Sequence, residues 1–306
     1  MQEPHPPFGR AGRNLEAEEP VLDPTPLHVA YQACEALARA HYENFPVASW
    51  FLSNDRRLAL AAIYAFARLA DDVADSERPS AERLQRLDEI EADFLHALDG
   101  APPHPILVAL ADAVERHSLP TEPFLDLLEA FRRDARDATF ATWDDLLDYC
   151  RGSANSIGRL VLALYRVDDP LAPAESDAIC TALQLTNFWQ DLGRDLARGR
   201  LFIPLEDLAR FDVTRDDLID PARHSVVSRL VEHECRGTDE LYERGRRIPS
   251  RVPFGLSIQL RATISGGRSI LRSVLHRGQD VIVDRPTLGP IGRVRVLLAA
   301  LLGLGV

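Results

Sequence analysis

A helix that is apolar on almost every side and then becomes acidic is the feature that most constrains this sequence. From Leu58 to Ala70 the run LALAAIYAFARLA contains only Arg68 and the hydroxyl of Tyr64 as polar groups. A helix that is apolar all round is normally buried inside a protein core. We therefore expect this segment to be a central helix of a large helical core.

Three carboxylates stand at the end of this helix. Asp71 and Asp75 are four residues apart and so share one face, while Asp72 lies beside them and Arg68 one turn before. Buried carboxylates are costly without a compensating charge. Because Mg²⁺ binds carboxylate oxygens together with substrate phosphates, it is the natural partner for such a group. The alternative is a helix end that emerges into solvent, with Arg68 paired to Asp72.

A second acidic stripe follows in the segment TALQLTNFWQDLGRDLARGR. Asn187, Asp191 and Asp195 recur every four residues on a helix that also carries much apolar surface. Alone, this pattern also fits an amphipathic helix with a solvated acidic face. Two such stripes on two apolar helices predict a shared site, where two or three Mg²⁺ ions hold a diphosphate as a leaving group. Apolar helices around it would house a hydrocarbon chain and exclude water.

Helix signals dominate the rest of the chain. Ser80 is expected to cap a helix that Gly100 ends, Pro105–His117 reads as one helix, and a capping box at Thr142 opens a helix through Tyr165. We find no alternating β-strand run of useful length. The sequence therefore predicts a disordered tail over residues 1–26, followed by one all-α domain of about ten helices over residues 27–306.

Charge and composition exclude several function classes. The net charge of −12 argues against nucleic acid as a partner. The four cysteines are scattered, which predicts a reduced, cytoplasmic chain, and the N-terminus has no apolar signal region. The final segment VRVLLAALLGLGV is too short to span a membrane. It is either a last core helix or a segment that docks on a membrane surface or guides an apolar product.

Three segments together resemble the squalene/phytoene synthase family: YAFARLADDVAD, YCRGSANSIGRL and NFWQDLGRDLARGRLFIPLEDL. The resemblance covers about residues 41–285 and implies an isoprenoid synthase fold, with helices around a central apolar cavity. It implies that the two acidic stripes face each other across Mg²⁺. It also implies that Arg68 helps to bind diphosphate and that Tyr149 and Ser153 lie on the helix of the family's third motif. We expect catalytic roles for Tyr149 and Asn155, and substrate-binding roles for His41, Tyr42, Phe45, Arg68, Ser153, Gln190 and Arg200.

The segment HYENFPVASWFL is similar to the hopanoid-pathway branch of this family, whose members form hydroxysqualene from presqualene diphosphate and water without NADPH. Glu43 stands where a basic residue is common, so we expect it to orient the water and accept its proton. The alternative is that Glu43 ends a helix and pairs with a surface arginine. Phe202 replaces a tyrosine common in the family, which argues against the complete two-step squalene reaction.

Two other functions remain open at this stage. The same metal site would serve head-to-head condensation of farnesyl or geranylgeranyl diphosphate to presqualene diphosphate, squalene or phytoene. A non-catalytic lipid-binding scaffold of the same fold is disfavoured, because both acidic stripes are intact. Peripheral membrane contact is expected because the product would be an insoluble C30 alcohol. The resemblance also implies coupling to a presqualene diphosphate synthase and a hydroxysqualene reductase.

Overall fold

A computed structural model describes residues 26–40, 53–100 and 104–289. Within these ranges the secondary structure is helical and contains no β-strand, which confirms the all-α prediction. Most of the predicted tail and most of the segment after Pro286 lie outside the described residues. The described α-helices are α1 Leu27–Ala40, α2 Asn54–Ala74, α3 Ser80–Leu98, α4 Pro105–His117, α5 Glu122–Ala135, α6 Trp143–Cys150, α7 Ser156–Leu164, α8 Ala172–Ala197, α9 Leu205–Arg210, α10 His224–Gly245 and α11 Phe254–Arg277.

Helix α2 is the central helix that its composition predicts. Ala59, Ile63 and Phe66 are fully buried along it. The Phe66 ring contacts those of Phe94 in α3 and Phe124 in α5, with ring centroids 5.2 and 5.5 Å away. The three rings tie α2, α3 and α5 into one apolar cluster, to which α1, α4 and α7 also contribute. A second cluster is formed mainly by α6, α8, α10 and α11.

Several helix ends lie where the sequence predicts them. Helix α4 has the predicted bounds, and the capping box forms between Thr142 and Asp145. Ser80 is different, because its hydroxyl donates to the Ala135 carbonyl at 2.6 Å and Pro79 takes the cap position of α3. The serine therefore joins α3 to α5 instead of capping its own helix.

The helix predicted from Thr142 to Tyr165 is interrupted by a wide turn. Residues Arg151–Asn155 are π-helical and connect α6 to α7. Gly152 lies in this turn, and a Cβ there would stand 2.7 Å from the Asp126 carbonyl oxygen of α5. The glycine thus allows α5 and the wide turn to meet closely. Such turns are frequent at functional sites.

Helices α2 and α8 begin at the same end of the bundle. The guanidinium of Arg56, near the start of α2, lies 4.8 Å from the centre of the Tyr165 ring, just before α8. Helix α10 runs antiparallel to α8. Trp189 near the end of α8 donates to Thr238 at 2.8 Å, while Gly245 at the end of α10 meets Glu175 near the start of α8. Both acidic stripes therefore lie near the opposite end, where α2 and α8 terminate.

Candidate active site

A cavity of about 410 Å³ lies between the ends of α2 and α8. Helix α5, the α6–π segment and the residues after α8 complete its wall. The cavity brings together residues that the sequence places far apart along the chain. Those of its lining residues that were predicted from sequence are Asp71, Asp75, Tyr149, Ser153, Asn187, Asp191, Asp195 and Arg200.

Arg200 connects the two acidic stripes. Its Nη2 donates to Asp75 at 2.6 Å, although the two residues are 125 positions apart. Its backbone N–H donates to the carbonyl oxygen of Asp195 at 2.8 Å, which fixes the loop that leaves α8. The guanidinium is consequently held at the point where the stripes of α2 and α8 approach each other.

Other arginines pair with three further carboxylates, Asp71, Asp72 and Asp191. Arg68 Nη1 lies 3.0 Å from Asp71, and its Nη2 lies 2.5 Å from Asp72. Arg285 contacts both carboxylate oxygens of Asp191, at 2.5 and 2.9 Å. Among the described residues, no three carboxylates or imidazoles converge closely enough to hold an ion by themselves. The arginines therefore offset only part of the negative charge of the stripes.

The electrostatics of the cavity favour a further cation. Burial and the neighbouring Asp75 raise the pKa of Asp71 to about 6, against the opposing effect of Arg68. Burial and the neighbouring Asp191 likewise raise the pKa of Asp195 to about 6. The carboxyl-terminal ends of α2 and α8 add partial negative charge. Carboxylate and amide oxygens are the donors that Mg²⁺ prefers, with phosphate oxygens and water completing its shell, so this donor set fits the ion.

Asp134 is a cavity residue that the sequence analysis missed. It lies in the last turn of α5 and accepts a hydrogen bond of 2.8 Å from the Tyr149 hydroxyl. Burial raises its pKa to about 7, while the Tyr149 hydrogen bond and the charge of Arg200 lower it. The available signal was a carboxylate one turn after the buried Phe131, at the edge of the apolar face of an amphipathic helix.

Aromatic rings form the apolar part of the lining. Phe188 of α8 and Phe202 stack with their centroids 3.8 Å apart and their planes 3° from parallel. The Tyr149 ring lies 6.1 Å from Phe188 and 6.2 Å from Phe202. Aromatic faces attract cations, so this wall suits a substrate that becomes positively charged during reaction.

Several predicted residues lie outside the cavity lining. Asp72 is exposed and pairs with Arg68. Gln190 is buried and donates to the Pro286 carbonyl at 2.7 Å, while Asn155 accepts a hydrogen bond from Thr181 at 3.0 Å. These contacts turn the three side chains toward the surface or the core, and their functional roles stay predictions. The predicted residues His41, Tyr42, Glu43 and Phe45 lie outside the described residues.

The comparison with known proteins agrees with this geometry. The family model for squalene/phytoene synthase matches residues 38–298, which is most of the chain. The chain belongs to the squalene/phytoene synthase family. It is accordingly an enzyme of isoprenoid synthesis, and its two acidic stripes, its Tyr149 segment and the Arg200 loop all fall within the matched region.

Comparison with individual proteins shows which members of the family this chain resembles. The chain is 38% identical over 252 residues to a hydroxysqualene synthase of Sinorhizobium fredii, covering 81% of this chain and 84% of that one. It is 32% identical over 283 residues to a phytoene synthase of Mycobacterium tuberculosis, covering 90% and 92%. The crystal structure of squalene synthase HpnC from Alicyclobacillus acidocaldarius superposes with a TM-score of 0.76 at 40% identity, covering 82% and 95%. The likeness confirms the isoprenoid synthase fold.

No helix among the described residues is long and apolar enough to cross a membrane.

Proposed function

We propose that this enzyme converts presqualene diphosphate and water into hydroxysqualene and diphosphate, with two or three Mg²⁺ ions as cofactor and without NADPH. The observation that carries the proposal is the cavity itself, in which two acidic stripes face each other beside an aromatic wall. The 38% identity to a hydroxysqualene synthase supports this reaction over others of the family.

The acidic end of the cavity would bind the diphosphate. Bound Mg²⁺ would neutralise the diphosphate and make it a better leaving group. Asp71, Asp75, Asn187, Asp191 and Asp195 would hold the ions, since their oxygens line the cavity from two helices. Arg200 would add charge-assisted hydrogen bonds to the departing oxygens, because its guanidinium already lies where the stripes meet.

The apolar wall would bind the hydrocarbon and the developing cation. The carbon–oxygen bond to diphosphate breaks with both electrons leaving on oxygen, and the stacked faces of Phe188 and Phe202 would stabilise the positive charge left behind. The cyclopropyl cation then rearranges with opening of its ring, and water forms the new carbon–oxygen bond and loses a proton. Glu43 is the proposed acceptor of that proton, and Tyr149, which lines the cavity, would help to position the reacting groups.

A second candidate is the condensing reaction of the family. The phytoene synthase of Mycobacterium tuberculosis matches a larger part of this chain than the hydroxysqualene synthase does, at lower identity. The same cavity would then bind two prenyl diphosphates. The sequence HYENF and the phenylalanine at position 202 favour the water-quenching reaction.

Product analysis by gas chromatography–mass spectrometry separates the two candidates. Purified protein with Mg²⁺ receives presqualene diphosphate or farnesyl diphosphate, each with and without NADPH. Hydroxysqualene formed from presqualene diphosphate, in equal amount with and without NADPH, supports the proposal. Consumption of farnesyl diphosphate to presqualene diphosphate, squalene or a longer homologue overturns it in favour of condensation.

The proposed reaction also places the enzyme between two others. Its substrate must come from a presqualene diphosphate synthase, and its product must pass to a hydroxysqualene reductase to become squalene. Both compounds are C30 lipids of low solubility in water. A cytoplasmic enzyme acting on them would gain access by peripheral contact with a membrane.

A further inference from the structure

We propose that the end of the bundle opposite the acidic cavity docks on an anionic lipid bilayer. The docking surface consists of two neighbouring segments, residues 165–173 between α7 and α8 and residues 244–254 between α10 and α11. This inference goes beyond the proposed reaction, and its test requires no substrate. It is argued from the position of the two segments, their exposed apolar residues and their arginines.

Two contacts bring the segments together. Arg251 lies 2.8 Å from Glu175 and 3.2 Å from Asp169, so it joins the loop before α11 to the start of α8. Residue 191 of the acidic stripe follows Ala172 by nineteen positions, which corresponds to about 30 Å along a helix. The docking surface and the acidic end of the cavity therefore lie on opposite ends of α8.

Large apolar side chains protrude from this surface. Phe254 is 78% exposed at the first position of α11, and Leu171 is 55% exposed at the start of α8. Pro170 and Pro253, beside them in sequence, are exposed as well. Scattered exposed apolar residues are ordinary in soluble proteins. These residues differ because Arg251 holds their two loops side by side, which forms one apolar projection.

Arginines surround this projection. Arg244, Arg246 and Arg247 are exposed at the end of α10, and Arg166 is exposed at the end of α7. The first two have only loose partners on their own helix, each 3.8 Å away. Arg166 and Arg247 form no ion pair within the described part of the chain. Four exposed arginines outnumber the one exposed carboxylate of the two segments, Asp168, so this surface is complementary to an anionic headgroup layer, although the chain as a whole carries −12.

The same features disfavour other occupants. A two-fold contact between copies of this chain would bring the arginines of both copies together, where like charges repel. Nucleic acid would be attracted by arginines but gains nothing from an exposed Phe254 beside Pro253. A bilayer interacts with both the apolar residues and the arginines, because the aromatic ring enters the interface while arginine side chains extend to the headgroups.

Co-sedimentation with vesicles tests the proposal on the full chain. Vesicles of phosphatidylcholine alone are compared with vesicles that also contain phosphatidylglycerol. We expect binding only with phosphatidylglycerol, weakened by added salt. Phe254→Ser should lower the partition coefficient about tenfold or more. The triple variant Arg244→Gln, Arg246→Gln, Arg247→Gln should lower it by about fivefold for each arginine, and so by about a hundredfold together.

Matched controls separate this surface from general effects of charge or hydropathy. Ile219→Ser removes another exposed apolar side chain, and Arg78→Gln, Arg86→Gln, Arg136→Gln removes the same charge from other exposed arginines. These variants should bind vesicles like the wild type. The proposal is overturned if the controls and the surface variants lose binding equally, or if none loses it. It is also overturned if light scattering shows a dimer that Phe254→Ser dissociates while the wild type binds no vesicles.

Discussion

The hydroxyl of Tyr149 donates a hydrogen bond of 2.8 Å to a carboxylate oxygen of Asp134 on the neighbouring helix α5. The tyrosine is buried and its pKa is raised well above the usual value, by burial first and by the adjacent Asp134 charge next. It therefore stays protonated at neutral pH and remains a donor. The bond joins α5 to α6 at the wall of the cavity, which both side chains line.

Removal of either partner should slow the reaction. We expect Asp134→Asn and Tyr149→Phe each to lower kcat/KM for diphosphate release by about tenfold to a hundredfold. Because both act through one hydrogen bond, the double variant should be little worse than the poorer single variant. The steady-state rate of diphosphate release gives kcat/KM for the two single variants and the double variant.

Tyr165→Phe is the matched control for this pair. The hydroxyl of Tyr165 is buried but has no hydrogen-bond partner among the described residues. Its removal should leave kcat/KM unchanged. If the decrease in kcat/KM of the double variant equals the product of the two single decreases, Asp134 and Tyr149 act independently, contrary to the geometry.

Arg200 should contribute to diphosphate binding through the shape of its guanidinium as well as its charge. We expect Arg200→Gln to raise KM and to weaken inhibition by inorganic diphosphate about tenfold or more. Arg200→Lys should recover only part of this, because lysine lacks the planar fork of donors. Inhibition constants for diphosphate measure the effect without turnover. Arg236→Gln, an exposed arginine on α10, serves as control, and equal inhibition constants for all variants would contradict the prediction.

The acidic stripes should make stability depend on the metal. Chelation of Mg²⁺ should abolish activity, and Mg²⁺ with inorganic diphosphate should raise the Tm by about 5 °C at a hundred times the dissociation constant. The double variant Asp71→Asn, Asp195→Asn should lose this rise. Its metal-free Tm should exceed that of the wild type, because two like charges leave a partly buried cluster.

Asp72→Asn gives the contrasting result in the same measurement. Asp72 is exposed and pairs with Arg68, so its substitution should leave the rise in Tm with Mg²⁺ and diphosphate nearly intact. Loss of the rise in this variant would make Asp72 a ligand of the ion, as its place in the sequence motif suggests. Retention of the rise in the Asp71 and Asp195 double variant would show that the stripes do not hold the metal.

Local signals explain why much of the fold was predictable. Pro105 at the start of α4 and the capping box at Thr142 act through neighbouring residues, and both helix starts are confirmed. The π-helical turn at Gly152 was not predictable, because it depends on the carbonyl of Asp126 in another helix. Ser80 was misassigned for the same reason, since its partner is the distant carbonyl of Ala135.

The features of the candidate site fall into the same two groups, those set by local sequence and those that depend on contacts between distant residues. The spacing of Asp71 with Asp75, and of Asn187 with Asp191 and Asp195, follows from the helical repeat and is visible in the sequence. The contacts of Arg200 with Asp75 and of Arg285 with Asp191 join residues about a hundred positions apart. No periodicity encodes such pairs. Asp134 combines both cases. Its position on a face of α5 follows from the local sequence, but its hydrogen-bond partner Tyr149 lies on another helix.

Glu234 should make the stability of the protein depend on pH at a distance from the cavity. It lies on the buried side of α10 with only 1% of its surface exposed, and neither carboxylate oxygen has a hydrogen-bond partner among the described residues. Burial raises its pKa well above the usual value, and the charges of Asp207 and Glu206 raise it further. The folded protein therefore keeps this proton at a pH where the unfolded chain has lost it.

The free energy of unfolding should consequently fall as pH rises from the unfolded pKa of Glu234 toward its folded pKa. Glu234→Gln keeps the shape and removes the titration. We expect this variant to equal the wild type at acidic pH and to exceed it in Tm by about 2 °C or more at alkaline pH. Thermal unfolding across that range measures the difference. Glu232→Gln, a half-exposed neighbour paired with Arg236, should show no such divergence. A constant offset between Glu234→Gln and the wild type at every pH would mean that the pKa of this carboxyl group is the same in the folded and the unfolded protein.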